Sequence, residues 1–441
     1  MIRKLSTLAY FGALLNMSFY ILVHSFLQSA FWAKPYLSHD STSYISPALS
    51  FATNGTFHEM IFRTPLYPMF LAAHNLLFGE QNWLIMVCIS QILLCAIAIG
   101  LLTMVLASRK VSLKLQIFFG MILIIYPALF YYEAYILTES VALFLLSLYV
   151  FVANKLFLEN SLKWYLILGI IVGMLILHRP DYIAIPISML IFLIIVFFID
   201  KQSISIPRIA LFSLPVMLLS GAWILRNLFV MGFFGLTVGA GTALFYHVHE
   251  DIEAGRSPNN TEIVDQLISL HEINPHPGIV HDASRVNADG SPRNIEEQVH
   301  YWKMITNLTL QTIVAEPWKY LQSVGGAIYA ITLPALGINQ SKRFFGEWFK
   351  TPWKIYRIIH LVGLLVITVL VIQLLSQLYM DYPNLSLKDL YIPFIIITIL
   401  GYCLINVLLI NAESNRYRMP FDGIIVVIGF LSYHATRLNR N

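Results

Sequence analysis

Two carboxylates stand beside long apolar segments, where an ionisable side chain is costly and therefore suggests a function. Asp40 follows the first apolar segment of the chain, and Glu139 lies between two further apolar runs. A carboxylate at either place could act as a general base that takes a proton from a hydroxyl group. The alternative is structural, because Asp40 could cap a helix and Glu139, next to Thr138, could occupy a first helical turn.

Four arginines near the ends of apolar segments could bind a phosphate, because a guanidinium pairs with two phosphate oxygens at once. They are Arg63, Arg179, Arg226 and Arg416. Arg63 precedes Pro65, which suits a helix start, but it could also be an anchor at the membrane surface. Arg179 could instead form a local ion pair with Asp181, and Arg226 could extend towards the membrane surface.

The motifs of metal and nucleotide chemistry are missing from the sequence. It contains no HExxH, paired CxxC, Walker, GxGxxG or GxSxG motif. His247 and His249 stand beside two acidic residues, but histidines scattered in a loop are usually only polar loop residues. We therefore predict no metal and no cofactor, with a divalent metal as the alternative. The three cysteines lie in apolar runs, so no disulfide framework is expected.

The composition indicates an integral membrane protein. The apolar fraction is 58% and the charged fraction is 12%, whereas soluble domains have about 25% charged residues. Runs of roughly 20 apolar residues predict an all-α, polytopic transmembrane bundle of about 11 spans, beginning with an uncleaved N-terminal helix. The expected spans are 6–30, 83–107, 115–132, 136–156, 162–178, 182–200, 208–231, 320–336, 358–379, 390–410 and 419–436.

Two segments between the spans are distinctive. The apolar segment Pro65 to Phe78 is too short to cross a bilayer and predicts a re-entrant or juxtamembrane helix in the first external loop, 31–82. Residues 232–307 form the one long polar stretch and are interpreted as an extracytoplasmic loop. The chain is thus divided into an N-terminal module (1–231), this loop and a C-terminal module (308–441).

Orientation follows from the basic residues, which favour cytoplasmic loops. The N-terminus and the loop 108–114 are basic and are therefore predicted to be cytoplasmic. The same alternation of sides places the first loop and the long loop outside. It places 342–357 and 411–418 inside, although one miscounted span would move the second of these segments outside.

Short motifs follow one another along the whole chain in a characteristic order. They are Asp40 with Tyr44, Gly55-Thr56-Phe57, Arg63 to Pro68, Leu77-Phe78-Gly79, Thr138-Glu139-Ser140, Arg179-Pro180, Trp223 with Arg226-Asn227, Gly232-Phe233-Phe234, Glu316 to Tyr320, and Glu413 with Arg416 to Arg418 and Pro420. This order resembles the GT-C glycosyltransferase superfamily, in particular the bacterial branch akin to protein O-mannosyltransferases and lipid A aminoarabinose transferases.

The resemblance implies a membrane enzyme that takes a sugar from a polyprenyl-phosphate carrier on the extracytoplasmic face of the inner membrane. It implies that Asp40 is the general base and that the sugar is transferred with inversion. The acceptor is a lipid, a glycan or a protein. Protein O-mannosyltransferases often carry an Asp-Glu pair where this chain has Asp40-Ser41, which leaves the choice of acceptor open.

Within this interpretation, Glu139 is a second acid that could position the acceptor or the sugar, and the four arginines are candidates for the donor phosphate. Further candidate site residues are His39, Tyr44, Tyr67, His178 and Glu413. Two alternatives are an O-antigen-type polymerase or ligase, which would depend on paired arginines in the long loop, and a secondary transporter, which would have internal repeats.

Overall fold

The computed structural model describes residues 2–31, 35–57, 60–199, 205–249, 293–380, 386–409 and 414–438, together with the single residues 252, 280, 285 and 291. Helices dominate these residues, and an isolated bridge between Tyr36 and Tyr135 is their only β pairing. The fold is therefore all-α, as the apolar runs predict.

The helices of the N-terminal half are α1 (Ile2–Phe31), α2 (His39–Asn54), α3 (Leu66–Ser108), α4 (Leu113–Ile124), α5 (Pro127–Ala134), α6 (Glu139–Glu159), α7 (Leu162–His178), α8 (Ala184–Ile199) and α9 (Ile206–Met231). Those that follow are α10 (Gly239–Phe245), α11 (Ile295–Ala315), α12 (Pro317–Thr332), α13 (Ile338–Phe345), α14 (Lys350–Met380), α15 (Tyr391–Leu409) and α16 (Ser414–Leu438). Short 3₁₀ turns cover Pro180–Ile183, Glu347–Phe349 and Leu387–Leu390.

Several of these helices are suited to a membrane. Among the described residues, six helices are long and apolar enough to cross one, or seven if the bent pair α4 and α5 forms one span. The six are Tyr10–Ser29, Leu66–Ser108, Glu139–Glu159, Ile206–Met231, Glu347–Met380 and Lys388–Leu409. The expectation of a polytopic helical membrane protein is confirmed, but the count of about 11 spans is not.

Close helix packing depends on small side chains, as is common between membrane helices. A methyl group at Gly169 of α7 would overlap the backbone carbonyl of Phe212 in α9. Gly120 of α4 similarly faces the side chain of Asn16 in α1. Asn16 in turn donates to the Gln116 carbonyl at 3.0 Å and to the Thr103 hydroxyl at 3.0 Å, which joins α1, α3 and α4.

The short apolar segment after Pro65 is helical and separate from the span that follows it. Gly79 interrupts α3 with φ 69° and ψ 169°, values outside the helical region. A residue with a side chain rarely adopts this positive φ, so the glycine permits the break. Residues 66–78 thus form a helical segment of their own, in agreement with the predicted break between this segment and the span.

The directions of the helices in the C-terminal half show which segments share one end of the bundle. Helices α14 and α16 run in the same direction, because His360 lies beside Arg418 and Ile367 beside Gly429. The helix between them, α15, returns the chain to the end at which α16 begins. Residues 350 and 414 therefore lie at the same end of the bundle.

Helix α12 also begins at that end and does not cross the bundle. The Tyr320 hydroxyl donates to the Leu408 carbonyl at 2.9 Å, near the start of α16. At the other end of α12, Arg418 donates to the carbonyls of Ile331 and Leu333. With 16 residues, α12 is shorter than the roughly 20 that a span requires. The predicted span 320–336 is wrong, and with it the placement of 342–357 and 414–418 on the opposite side from Asp40.

The described parts of the long loop pack onto the chain just before Arg63. Val238 donates its backbone N–H to the Ile61 carbonyl at 3.0 Å, and the Phe62 ring meets the Trp302 ring edge-on at 5.2 Å. Helix α11 begins with a capping box in which Asn294 and Glu297 satisfy each other's backbone N–H groups. The loop therefore adds a small apolar core over the segment that leads to Arg63.

Candidate functional site

Asp40 lies in the first turn of α2 but does not cap the helix. Ser38 is the N-cap residue, and its backbone N–H donates to the Ser41 hydroxyl at 2.9 Å. The capping alternative for Asp40 is therefore wrong, because two serines perform that function. The Asp40 carboxylate is left to interact with groups outside its own helix, and its side chain is 34% exposed.

Two arginines hold the Asp40 carboxylate, one on each oxygen. Arg63 Nη2 lies 3.0 Å from Oδ1, and Arg416 Nη1 lies 2.8 Å from Oδ2. Arg63 is itself fixed, because its Nε donates to the Ser43 hydroxyl at 2.9 Å and its guanidinium stacks on the Tyr44 ring at 4.4 Å. The two cations converge on one partly exposed acid.

Arg416 also joins Asp40 to the second candidate acid. Its Nε donates to Glu139 Oε1 at 2.6 Å, while its Nη1 remains on Asp40. The Glu139 side chain is fully buried, and its Oε2 has no hydrogen-bond partner among the described residues. One guanidinium thus bridges a partly exposed carboxylate and a buried one, which contribute two negative charges against the two positive charges of the arginines.

The electrostatics of Asp40 follow from this arrangement. Burial by itself would raise the pKa of Asp40, but the guanidinium groups of Arg63 and Arg416 outweigh it and hold that pKa well below its usual range. Asp40 is therefore ionised at neutral pH. In this resting arrangement it is also a weak base, because its charge is already paired.

Arg179 lies next to the Asp40 cluster, but its charge is already neutralised by Asp181. Its Nη2 lies 2.6 Å from Asp181 Oδ2, and both side chains are nearly buried. The Tyr402 hydroxyl donates to the same carboxylate oxygen at 2.8 Å. The ring of Tyr417, the residue after Arg416, covers the Arg179 guanidinium at 4.1 Å. The structure thus contains the local ion pair, while Arg179 Nη1 has no partner among the described residues.

Arg226 contacts a different part of the first loop. Its Nη2 donates to the Phe57 carbonyl, and its guanidinium stacks on the Trp223 ring at 4.9 Å. The side chain of Trp223 also meets the Phe57 ring edge-on at 6.1 Å. None of these contacts involves the Asp40 cluster. Arg226 therefore holds the turn after α2, and its proposed contact with a phosphate stays a prediction.

Three of the further candidates, Tyr44, Tyr67 and His178, pack against one another beside the cluster. The Tyr44 ring meets the Tyr67 ring edge-on at 5.2 Å, and Tyr67 meets the His178 ring at 5.9 Å. Tyr67 donates its hydroxyl to Gln91 at 3.1 Å, and His178 donates Nε2 to the Thr138 carbonyl at 2.9 Å. These buried contacts fix Tyr44 beneath Arg63 and fix the backbone just before Glu139.

Two other candidates cannot be placed in the site. Glu413 and the side chain of His39 lie outside the described residues. Metal ligation has no cluster to support it in the described part of the chain, where no group of three or more His, Cys, Asp or Glu could hold an ion. His247 instead pairs with the Ser323 hydroxyl at 2.8 Å, and His249 with the Tyr246 carbonyl at 3.0 Å.

Two tyrosines of this region, Tyr402 and Tyr417, are not among the site residues predicted from the sequence, although Tyr417 lies within the motif Arg416 to Arg418. Tyr417 lies between two arginines in the sequence, which was a signal that it could stack on a guanidinium. Tyr402 lies inside an apolar run and had no local signal. Its role beside Asp181 depends entirely on the packing of α15 against the turn at Pro180–Ile183.

Comparisons with known proteins find similarity only at the level of solved structures. No family model matches the chain, and no curated protein matches it. Among solved structures, the chain is similar to ArnT from Cupriavidus metallidurans, crystallised with undecaprenyl phosphate. The identity is 13% and the TM-score 0.41, over 93% of this chain and 77% of that one. An identity and a TM-score this low do not assign a family to the chain.

Proposed function

We propose that this protein is a membrane glycosyltransferase that moves a sugar from a polyprenyl-phosphate carrier to a lipid, glycan or protein acceptor on the extracytoplasmic face. Asp40 is the general base. The observation that carries the proposal is the convergence of Asp40, Arg63, Arg416 and Glu139 from distant parts of the chain into one ion-paired cluster. This convergence supplies an acid–base group and two phosphate-binding groups together.

In the proposed reaction, Asp40 accepts a proton and the two arginines bind the phosphate. The oxygen of an acceptor hydroxyl attacks the anomeric carbon, and its proton passes to Asp40. The bond between the anomeric carbon and the phosphate oxygen breaks, and both electrons leave with the polyprenyl phosphate. Arg63 and Arg416 bind the phosphate, whose negative charge grows as the bond breaks, and this preferential stabilisation of developing charge lowers the barrier.

Glu139 has a positioning role in this scheme. Its Oε1 fixes Arg416, and its buried Oε2 could accept a hydrogen bond from a hydroxyl of the sugar or the acceptor. Arg179 and Arg226 remain candidates for further contacts with the phosphate or the carrier. Both already stack on aromatic rings near the cluster or the first loop.

The experiment that tests this function is transfer in proteoliposomes. Purified protein would be supplied with a panel of radiolabelled polyprenyl-phosphate sugars and with membrane extracts as acceptors. We expect transfer from a lipid-linked donor, no transfer from nucleotide sugars, and loss of transfer in Asp40→Asn. The matched control is Glu159→Gln, which changes an exposed carboxylate paired with Lys155 at the opposite end of the bundle. Full activity in Asp40→Asn would exclude Asp40 as the base.

A further inference from the structure

The resting structure presents a conflict between the two tasks assigned to the cluster. Arg63 and Arg416 are the groups suited to a phosphate, yet each already donates to Asp40. Asp40 is the group suited to accept a proton, yet its charge is satisfied by those same arginines. Neither task can proceed fully while these ion pairs stay closed.

The two carboxylates on Arg416 differ in how readily they can leave it. Glu139 is fully buried, and separating it from Arg416 would leave an uncompensated charge in the interior. The Asp40 side chain is 34% exposed and lies in the first turn of a helix that does not span the bundle. Asp40 can turn towards solvent when it leaves the arginines, so an incoming anion replaces Asp40 at a lower cost than it would replace Glu139. The exchangeable partner of Arg416 is therefore Asp40.

The geometry also suits a phosphate. The two guanidinium groups approach two oxygens of a single carboxylate at 3.0 and 2.8 Å. A phosphate presents oxygens to neighbouring donors in a similar way, and Arg binds both groups through the same forked hydrogen bonds. A phosphate can therefore occupy the place of Asp40 with only a small displacement of either arginine.

We infer that the phosphate of the lipid donor and the Asp40 carboxylate compete for Arg63 and Arg416, so that donor binding itself releases Asp40 to act as the base. This inference rests on the proposed function. The cluster has two carboxylates and two guanidiniums, and the phosphodiester of the donor adds one negative charge. That added charge is accommodated when Asp40 leaves the arginines and later takes the proton of the acceptor.

The exchange also fixes the order of the steps, because Asp40 becomes an effective base only after the donor has bound. Before the donor binds, Asp40 is a weak base, and a stray hydroxyl or water is not activated. After transfer, the leaving polyprenyl phosphate carries one more negative charge than the donor, while Asp40 has become neutral. The product is therefore held more tightly than the donor until Asp40 loses its proton and competes again for the arginines.

The test separates binding from transfer. Binding of sugar-free polyprenyl phosphate would be measured in detergent by native mass spectrometry or thermophoresis for wild type and Asp40→Asn. Removing the competing charge raises the population of the binding-competent state, so we expect affinity to increase by about tenfold. The same substitution abolishes transfer. Unchanged or weaker binding in Asp40→Asn would overturn the competition.

Three controls make the result specific. Arg63→Gln should weaken binding of polyprenyl phosphate, because it removes one of the two guanidiniums. Glu159→Gln should leave both binding and transfer unchanged. Asp40→Ala should bind as tightly as Asp40→Asn, and thermal unfolding shows that each variant is folded. Tighter binding in both Asp40 variants, together with no transfer by the wild type from any lipid-linked sugar, would retain the competition and reject the proposed function.

Discussion

Arg416 and Asp40, which are 376 positions apart, form an ion pair of 2.8 Å between Nη1 and Oδ2. This contact brings the start of the last described helix against the first loop. The same guanidinium holds Glu139 through Nε at 2.6 Å. Three distant segments of the chain therefore meet at one side chain, and its chemistry can be tested directly.

The first prediction concerns the shape of the Arg416 side chain. Arg416→Lys keeps the positive charge but replaces a planar fork by a point charge that cannot bridge Asp40 and Glu139 in the same way. We expect transfer to fall by about 10- to 100-fold, because misplaced groups slow the reaction. Initial rates in proteoliposomes measure the change. Arg357→Lys, at a partly exposed arginine bonded to Tyr329, is the matched control. Equal rates in the two variants would contradict the role of Arg416.

The second prediction concerns the dependence of stability on pH. The pKa of Asp40 is lowered in the folded state, so its charge contributes stability that is complete above the unfolded pKa of about 4. That contribution is lost as pH falls through the folded pKa. The difference in Tm between wild type and Asp40→Asn should therefore be constant near neutral pH and shrink in acid. Thermal unfolding in detergent across pH measures it, and a gap that changes between about pH 8 and pH 6 would contradict the assignment.

The third prediction concerns a buried cluster behind the site. His24 Nδ1 lies 2.7 Å from Glu133 Oε2, Tyr20 donates to the same carboxylate, and all three side chains are fully buried. Removing one partner of a buried pair leaves a polar group unsatisfied, so Glu133→Gln should destabilise the protein by about 3 kcal/mol or more. Because Glu133 precedes the segment that carries Glu139, we also expect a slower transfer.

A double-mutant cycle measures the interaction energy between His24 and Glu133. The double variant His24→Leu with Glu133→Leu replaces the pair by apolar groups and should be less destabilised than the sum of its single changes. Thermal unfolding of the four proteins gives the coupling. Strict additivity would show that His24 and Glu133 do not act as a pair. Tyr10→Phe, at an exposed position of the same helix, is the control.

The fourth prediction concerns the orientation of the segment before α14. A cysteine at Glu347, whose side chain is 78% exposed, should react with a membrane-impermeant maleimide from the same side as one at Ser50. A cysteine at Lys163, 61% exposed at the opposite end of the bundle, should react only after permeabilisation. Labelling in intact and permeabilised spheroplasts measures the accessibility of each cysteine to the maleimide. If Glu347→Cys behaved like Lys163→Cys, α12 would cross the membrane after all.

The sequence by itself determined the class of fold and most of the helices. The segment predicted at 162–178 matches α7, and the break between Pro65–Phe78 and the following span matches Gly79. These features are local, because a run of apolar residues must satisfy its own backbone hydrogen bonds in lipid. The same local rule predicted a span at 320–336, but α12 has only 16 residues and packs beside α15 and the start of α16.

Which charges meet was decided only by the tertiary structure. The types of Asp40, Glu139, Arg63 and Arg416 could be read as acids and phosphate-binding groups, but their pairing depends on how α2, α6 and α16 pack. The sequence predicts Arg416 on the opposite side from Asp40, because each predicted crossing reverses the side of every segment that follows. A single guanidinium shared by two carboxylates is a long-range arrangement, and no spacing within the sequence encodes it.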